Sequence, residues 1–510
     1  MSINPPMTLK RNLIANYIGQ GWVALMGLAF IPQYIKYLGI EAYGLIGLFA
    51  VLQAWLGLLD MGMTPTLGRE MARFTGGGHS NESIRDLLRS IEMIALGIAL
   101  LIAGSIAIGA HWIASSWLKA EAIPVDVVAQ AFTIMGFVTA LRFAEGIYRS
   151  AIIGLQRQVL FNVVNSIMAT LRGLGSVGIL IWVSPTIKAF FLWQAVVSVV
   201  TLMILAITTY SSLPRGVRRG HFSIDSLQSV WRFAGGMVTG TLTGLLLSAT
   251  DKILISRYLP LSDLGYYSLA NTVIGILGVM LGPVNQAVFP RFAELIAKNK
   301  KSELELIFLK SSQMVSVFLG TIAIILIFQG KNIIFIWSGD EKLASMTGLI
   351  VSILASGILI SSPTWMLYQL QIAYGKPSIG VYINIANIIF TLPILLVVTS
   401  NFGLIGTALV TVLSSLISLV LHIFLSLTLN KYFKVSFYDW GLKSIVKPIL
   451  LVFLLNLVCF LIWPNSISNK YINLMSILFL SFASFWVSFA SAKLLRDSIV
   501  NHFMILKFFR

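Results

Sequence analysis

The chain reads as an all-α polytopic membrane protein, and three observations carry that reading. Only 11% of its 510 residues are charged and 57% are hydrophobic, against roughly 25% charged residues in soluble domains. Apolar runs of about 20 residues, the length that crosses a bilayer core as a helix, recur along the whole chain. Basic residues are dense in every second connecting segment and sparse in the others. In lipid, a single run of this kind satisfies its backbone polar groups only as a helix.

About fourteen spans are expected. The first six are Leu13–Ile35, Gly44–Leu67, Ser90–Trp112, Val128–Ser150, Val159–Val183 and Lys188–Tyr210. The next six are Arg232–Ser256, Gly265–Val288, Ser312–Phe335, Leu343–Ala373, Ile379–Thr399 and Leu404–Leu429, with Pro363 expected to kink the tenth. Val446–Trp463 and Ile472–Ala492 close the series. The segment Phe289–Leu309 reads as an amphipathic helix lying on the membrane surface, with Leu295, Ile296, Leu304, Ile307 and Phe308 on its apolar side.

Charge sets the expected orientation. With both termini in the cytoplasm, inner loops and tails collect 26 of the 36 basic residues and outer loops seven, as the positive-inside rule requires. That distribution accounts for most of the +17 net charge without a nucleic-acid partner. Lys10 and Arg11 precede a run of full spanning length, so no cleavable signal sequence is expected. Cys459 is the single cysteine, and the five histidines lack metal-ligand spacing, so no disulfide framework or metal site is expected.

The chain also repeats itself. Lys36-Tyr37-Leu38 matches Arg257-Tyr258-Leu259, and Gly44, Leu48 and Gly57 match Gly265, Leu269 and Gly278, all at a shift of 221; Asn162 and Asn165 match Asn384 and Asn387 at 222. Six spans per repeat is an even number, so two parallel six-helix lobes related by a pseudo-two-fold axis along the membrane normal are expected. The expected divisions are 1–220, 221–430, and a 431–510 segment with two extra spans and a basic tail.

Six ionisable residues are the deep intramembrane candidates: Asp60, Arg142, Glu145, Arg172, Asp251 and Lys252. A charge at the bilayer centre costs at least ~2.5 kcal/mol, so such residues are functional candidates. Arg142, Glu145 and Arg149 share one face of the fourth span; Asn162, Asn165, Ala169, Arg172 and Ser176 share one face of the fifth. Arg142 and Glu145 either pair and lock packing or face a ligand. Arg172 has no partner near it in sequence, which favours a watery cavity or a ligand. Asp60 takes up a coupling ion or serves as a counter-ion. Asp251 and Lys252, about 100° apart on a helix, are not expected to face one another. The stripe Asn271, Gly275, Gly278, Gly282 and Asn285 reads either as a close helix contact or as a smooth cavity wall. No nucleotide-binding motif is present, and two such lobes with inward charges are the design of a secondary transporter.

Tyr37-Leu38-Gly39-Ile40-Glu41-Ala42-Tyr43-Gly44-Leu45, Leu58-Leu59-Asp60-Met61-Gly62 and Leu67-Gly68-Arg69-Glu70 resemble the polysaccharide exporter family that includes O-antigen flippases, within the multidrug/oligosaccharidyl-lipid/polysaccharide exporter superfamily. Thr250-Asp251-Lys252-Ile253-Leu254-Ile255, Leu264-Gly265-Tyr266-Tyr267-Ser268-Leu269-Ala270 and Phe289-Pro290-Arg291-Phe292 carry the resemblance into the second half. It implies a bacterial inner-membrane flippase for an oligosaccharide on undecaprenyl diphosphate, working by alternating access among membrane lipids. A polysaccharide polymerase and chain-length machinery are the implied partners. No cofactor is implied beyond a proton or sodium gradient. On this reading Arg142 and Arg172, chosen by depth, hold the diphosphate, with Arg149, Asn162 and Asn165 alongside; Asp60, Glu145, Asp251 and Lys252 are coupling or counter-ion groups. The family expectation is a cationic cavity, whereas the six intramembrane charges balance. The competing expectation is a cation-coupled drug or metabolite antiporter of the same superfamily, with Asp60, Glu145 and Asp251 as its ligands.

Overall fold

The computed structural model describes residues 9–60, 62–214, 220–223, 242–428, 437–462 and 470–497. The basic loop residues 215–219, the first half of the expected seventh span, and Lys431, Lys434, Lys507 and Arg510 lie outside them. The described residues are helices joined by short turns and connections, with one bridge between Lys119 and Pro260. Ten of its helical stretches are long and apolar enough to cross a membrane. One of these, Ser378–Leu425, has 48 residues and would be about 72 Å long if straight, more than twice a bilayer core of about 30 Å. It breaks into two helices at Gly403, whose φ of 61° and ψ of −147° suit glycine. The protein is thus an all-α polytopic membrane protein.

Packing divides the chain into two compact units, Met1–Gly265 and Tyr266–Arg510. In the first, α1 (Leu9–Ala29) and α2 (Ile31–Leu38) form one bent span, followed by α3 (Ile40–Leu59) and α4 (Met63–Thr75). Next come α5 (Asn81–Trp112), α6 (Val125–Gly154), α7 (Gln158–Trp182), α8 (Ile187–Ser212) and α9 (242–258). Helix α6 is central: α4, α5 and α8 pack on it, while α7 lies between α1 and α8. The core under α4 to α6 holds Leu67, Met71, Ile84, Ile91 and Ile147, all nearly inaccessible. Ser80 caps α5 by accepting from the Ser83 N–H at 3.1 Å, and Thr186 caps α8 through the Ala189 N–H at 3.3 Å.

The expected second span, Gly44–Leu67, is not one helix. It ends at Leu59, turns at Gly62 with φ of 77°, and restarts as α4. Asp60 sits in the break and accepts the Thr64 N–H at 3.0 Å, together with the Thr64 hydroxyl. A carboxylate is well placed there, at the positive end of a helix dipole.

In the second unit, α10 (Leu261–Ala297, entering from the first) turns at Asn299, φ 52°, into α11 (Lys301–Val315). One π-helical turn leads on to α12 (Thr321–Ser338). Helix α13 (Glu341–Ser361) gives way to α14 (Thr364–Ala373) at Pro363, where a kink in one long helix is expected. Then follow α15 (Ser378–Thr428), the short α16 (Phe437–Asp439), α17 (Lys447–Ile462) and α18 (Lys470–Ser491). The last two pack on each other and on α12.

Phe289–Leu309 is not a surface helix. It is the end of α10, a turn, and the start of α11, and its apolar side chains find protein instead of lipid. Leu295, Leu304 and Phe308 are buried in a core with Phe292, Met366 and Trp440. Arg291 reaches Glu294 at 2.7 Å and Glu303 at 3.6 Å, clasping the turn from outside. An amphipathic pattern reports an apolar partner without distinguishing a bilayer from another helix.

Candidate functional site

A cavity of about 600 Å³ opens within the first unit, and six of the nine sequence-selected residues line it: Asp60, Arg142, Glu145, Arg149, Asn165 and Arg172. At 1.5 Å per residue, Arg142 lies about 18 Å and Arg149 about 8 Å from the end of α6 at Gly154. The cavity therefore runs from mid-span towards the end that carries the basic loops.

The two deep arginines are held differently. Arg142 Nη1 donates to Gln53 Oε1 at 2.5 Å and Nη2 to Gln194 Oε1 at 3.1 Å, and the guanidinium lies 5.0 Å from the Phe49 ring centre. Gln194 is fixed in turn by donating to Ser176 Oγ at 3.1 Å. Arg142 is thus oriented by neutral amides and is not locked to Glu145, its neighbour one turn away. Arg172 has an acidic partner after all, Glu145 across the α6–α7 gap. Their closest approach is 3.9 Å, well beyond the 2.7–2.9 Å typical of a charge-assisted hydrogen bond. Arg142 Nε, Arg172 Nε and Nη2, and Glu145 Oε1 are buried without a hydrogen-bond partner among the described residues. Buried donors on a charged group are rarely left empty.

The polar stripe of α7 divides. Asn165 and Arg172, seven residues apart, form the edge that lines the cavity. Asn162 belongs to the other edge: it is buried and donates to Asn16 Oδ1 at 2.6 Å, close against Gly19. It joins α7 to α1 and does not line the cavity. Asp251 and Lys252 also lie away from it. The expectation that they point apart is overturned. Lys252 Nζ lies 3.5 Å from Asp251 Oδ1 and donates to Ser248 O at 2.9 Å. The long lysine stem curls back one turn, a reach that the angle between Cβ atoms does not capture. The charge balance of the six intramembrane residues is thereby resolved. Asp251 and Lys252 drop out, Arg149 joins, and three guanidiniums face two carboxylates in the cavity.

Gln194, Thr64, Phe161 and Thr201 belong to the site and are missing from the sequence selection. The one amide side chain in the largely apolar run Lys188–Tyr210 is the signal for Gln194. Glu92, inside the third expected span, is also missing from the six. It accepts from Tyr148 at 2.9 Å, from Tyr210 at 2.8 Å and from Arg89 at 3.2 Å, tying α5 to α6 and α8. In the second unit a Cβ added at Gly275, Gly278 or Gly282 would meet nothing within 4 Å. That glycine stripe is therefore not a close helix contact among the described residues.

At the Gly44 motif, Leu261 N–H donates to Lys119 O at 3.0 Å, Trp117 Nε1 to Ser256 Oγ at 3.1 Å, and Arg257 Nη1 to Ser116 O at 2.5 Å. A Cβ on Gly44 would fall 3.2 Å from the backbone nitrogen of Gly265 and closer still to the carbonyl of Leu261. The matched glycines of the repeat therefore touch.

Comparison with known proteins agrees with this architecture. A family model described as "Polysaccharide biosynthesis protein" matches residues 9–296, and the MatE model matches 237–397. A Shigella flexneri protein designated an O-antigen transporter is 21% identical over 409 residues, 79% of this chain and 94% of its own. A succinoglycan biosynthesis transport protein of Rhizobium meliloti is 24% identical over 201 residues, 39% of this chain and 40% of its own. Among solved structures, the lipid II flippase MurJ in an inward closed conformation superposes with a TM-score of 0.70 at 14% identity, covering 96% of this chain and all of that one. An inward-facing multidrug resistance transporter of the MATE family gives 0.63 at 9% identity, covering 82% and 95%. These superpositions establish the fold, and the match over residues 9–296 places the chain in the polysaccharide biosynthesis protein family.

Proposed function

We propose that the protein is a flippase that carries a lipid-linked oligosaccharide across the bacterial inner membrane by alternating access. The observation that carries this reading is the set of unpartnered guanidinium N–H groups on Arg142 and Arg172, buried in a cavity with an excess of positive charge. A diphosphate offers acceptor oxygens in the geometry that guanidinium forks fit. On this reading Arg149 attracts the headgroup at the cytoplasmic mouth, and Asn165, Thr64 and Thr201 supply hydrogen bonds to the headgroup and the first sugar. The lipid tail stays in the bilayer. Names among the relatives point the same way: O-antigen transport, succinoglycan transport and lipid II flipping.

The test is Arg172→Ala in cells that depend on this chain for surface polysaccharide. We expect loss of the polymer with normal protein in the membrane, and partial recovery with Arg172→Lys, which keeps the charge but loses the fork. Normal polymer in the Ala variant would overturn the role given to Arg172.

A second reading, a cation-coupled drug or metabolite antiporter, draws on the MatE match over 237–397. Three guanidiniums against two carboxylates repel an organic cation, which ranks it below the flippase. Drug resistance on overexpression, with no polysaccharide defect on deletion, would reverse the order.

A further inference from the structure

We propose that Glu145 is a displaceable counter-ion, so that the cavity binds a diphosphate diester and a proton together. The inference rests on the flippase reading of the cavity. Two carboxylates line the cavity, and they are unequally engaged. Asp60 is held by the backbone N–H and hydroxyl of Thr64 at the start of α4. Glu145 faces Arg172 loosely at 3.9 Å and the neutral hydroxyl of Ser198 on α8, and its Oε1 accepts no hydrogen bond.

The charged and titratable groups around Glu145 are few. Its own helix presents Arg142 and Arg149, α7 presents Arg172, and the end of α3 presents Asp60. The lining residues of α4 and α8 are Thr64, Pro65, Thr201 and Leu205, none titratable. Tyr34 of α2 lies behind Arg172, its hydroxyl donating to Gly173 O at 3.3 Å.

Without ligand, an ionised Glu145 neutralises Arg172, and the cavity keeps one positive charge in excess. A diphosphate diester carries one negative charge on each phosphoryl group. When its oxygens accept from Nε and Nη2 of Arg172, Glu145 loses its counter-ion and faces an anion at close range in a low dielectric. Taking up one proton relieves that repulsion and matches the cavity charge to the ligand. By linkage, each then strengthens the binding of the other. A proton that loads with the anion also leaves with it, so Glu145 has the wrong sign for exchanging an inward proton for an outward substrate.

The experiment is titration calorimetry of the purified full chain with an octyl diphospho-glucose diester, whose phosphoryl groups do not titrate near neutrality. It is run in two buffers of different ionisation enthalpy. We expect uptake of about one proton per probe bound, and an affinity that falls by up to roughly tenfold per unit of rising pH. Glu145→Gln should bind more tightly, without proton uptake and independently of pH, whereas Asp60→Asn should retain the uptake. Equal heats in both buffers for the wild-type protein would overturn the proposal without the need for any variant. So would uptake that survives Glu145→Gln, or weaker binding by that variant. If the probe does not bind, or if Arg172→Ala binds it as tightly as wild type, the diphosphate reading itself fails. Binding that needs Arg172 but takes up no proton leaves that reading intact and removes only the role of Glu145.

Discussion

Arg142 and Arg172 are the same residue type at similar depth, yet their neighbours give them different work. Arg142 is oriented by Gln53, Gln194 and the ring of Phe49, so its fork is set before any ligand arrives. Gln194→Leu removes one of those acceptors and strands a buried charged donor. We expect a loss of about 1–3 kcal/mol in stability, read as a lower unfolding temperature, together with weaker transport. Asn162→Leu separates packing from binding. It breaks the link to Asn16 and should lower stability by a similar ~1–3 kcal/mol while leaving diphosphate affinity within about twofold. An affinity loss of tenfold, about 1.4 kcal/mol, would return Asn162 to the cavity. Both asparagines of α7 are plain in the sequence; their division is not. Periodicity places them on one stripe, and only the helices beside α7 decide which edge of it is packed.

At the scale of elements, close approach and capping matter most. A Cβ on Gly44 would run into backbone at Leu261 and Gly265, and backbone cannot swing aside as a side chain can. Gly44→Ala should therefore cost about 1–3 kcal/mol through overpacking, visible as a lower unfolding temperature. Gly21→Ala, at a site with nothing within 4 Å of the added carbon, should be nearly silent. The turn from α4 to α5 depends on Glu70, which lies beyond the second expected span and is only 2% exposed, held by Arg69, Arg73 and His79. Burial raises its carboxyl, but hydrogen bonds from His79 and Arg69 and the charge of Arg73 outweigh burial and hold it below its ordinary 4.5. With a depressed native value, the Glu70 contribution is complete above the ordinary value and is lost as pH falls through the native one. Thermal stability should therefore fall on acidification below the ordinary value of 4.5. Glu70→Gln should flatten that dependence and lower stability at neutral pH.

For the whole molecule, the 26 to 7 division of basic residues predicts an orientation. Cysteines placed at His79 and Lys119, in a Cys459→Ser background, should react with an impermeant reagent from opposite sides: His79 from the cytoplasm and Lys119 from outside. Labelling of both from one side would break the topology and with it the assignment of Arg149 to the cytoplasmic mouth. The packing boundary at Gly265 and Tyr266 is a different quantity from the repeat boundary expected near residue 220. A repeat records matching sequence, whereas compactness records which helices touch.

What the sequence determined by itself follows from properties that add along the chain. Apolar length marks the stretches that cross, because a backbone in lipid must close its own hydrogen bonds, but it missed the break at Gly62. Loop charge predicts their orientation, and the rarity of buried charge singles out Arg142, Glu145 and Arg172. The tertiary structure decided everything that depends on distance between helices. It gave Arg142 two amides, left Arg172 a loose acid, and withdrew Asp251 and Lys252 into a pair of their own. It also buried the apolar side of Phe289–Leu309 against other helices. Those outcomes rest on contacts between residues remote in sequence, and a hydrophobic or polar stripe specifies that a partner exists without naming it.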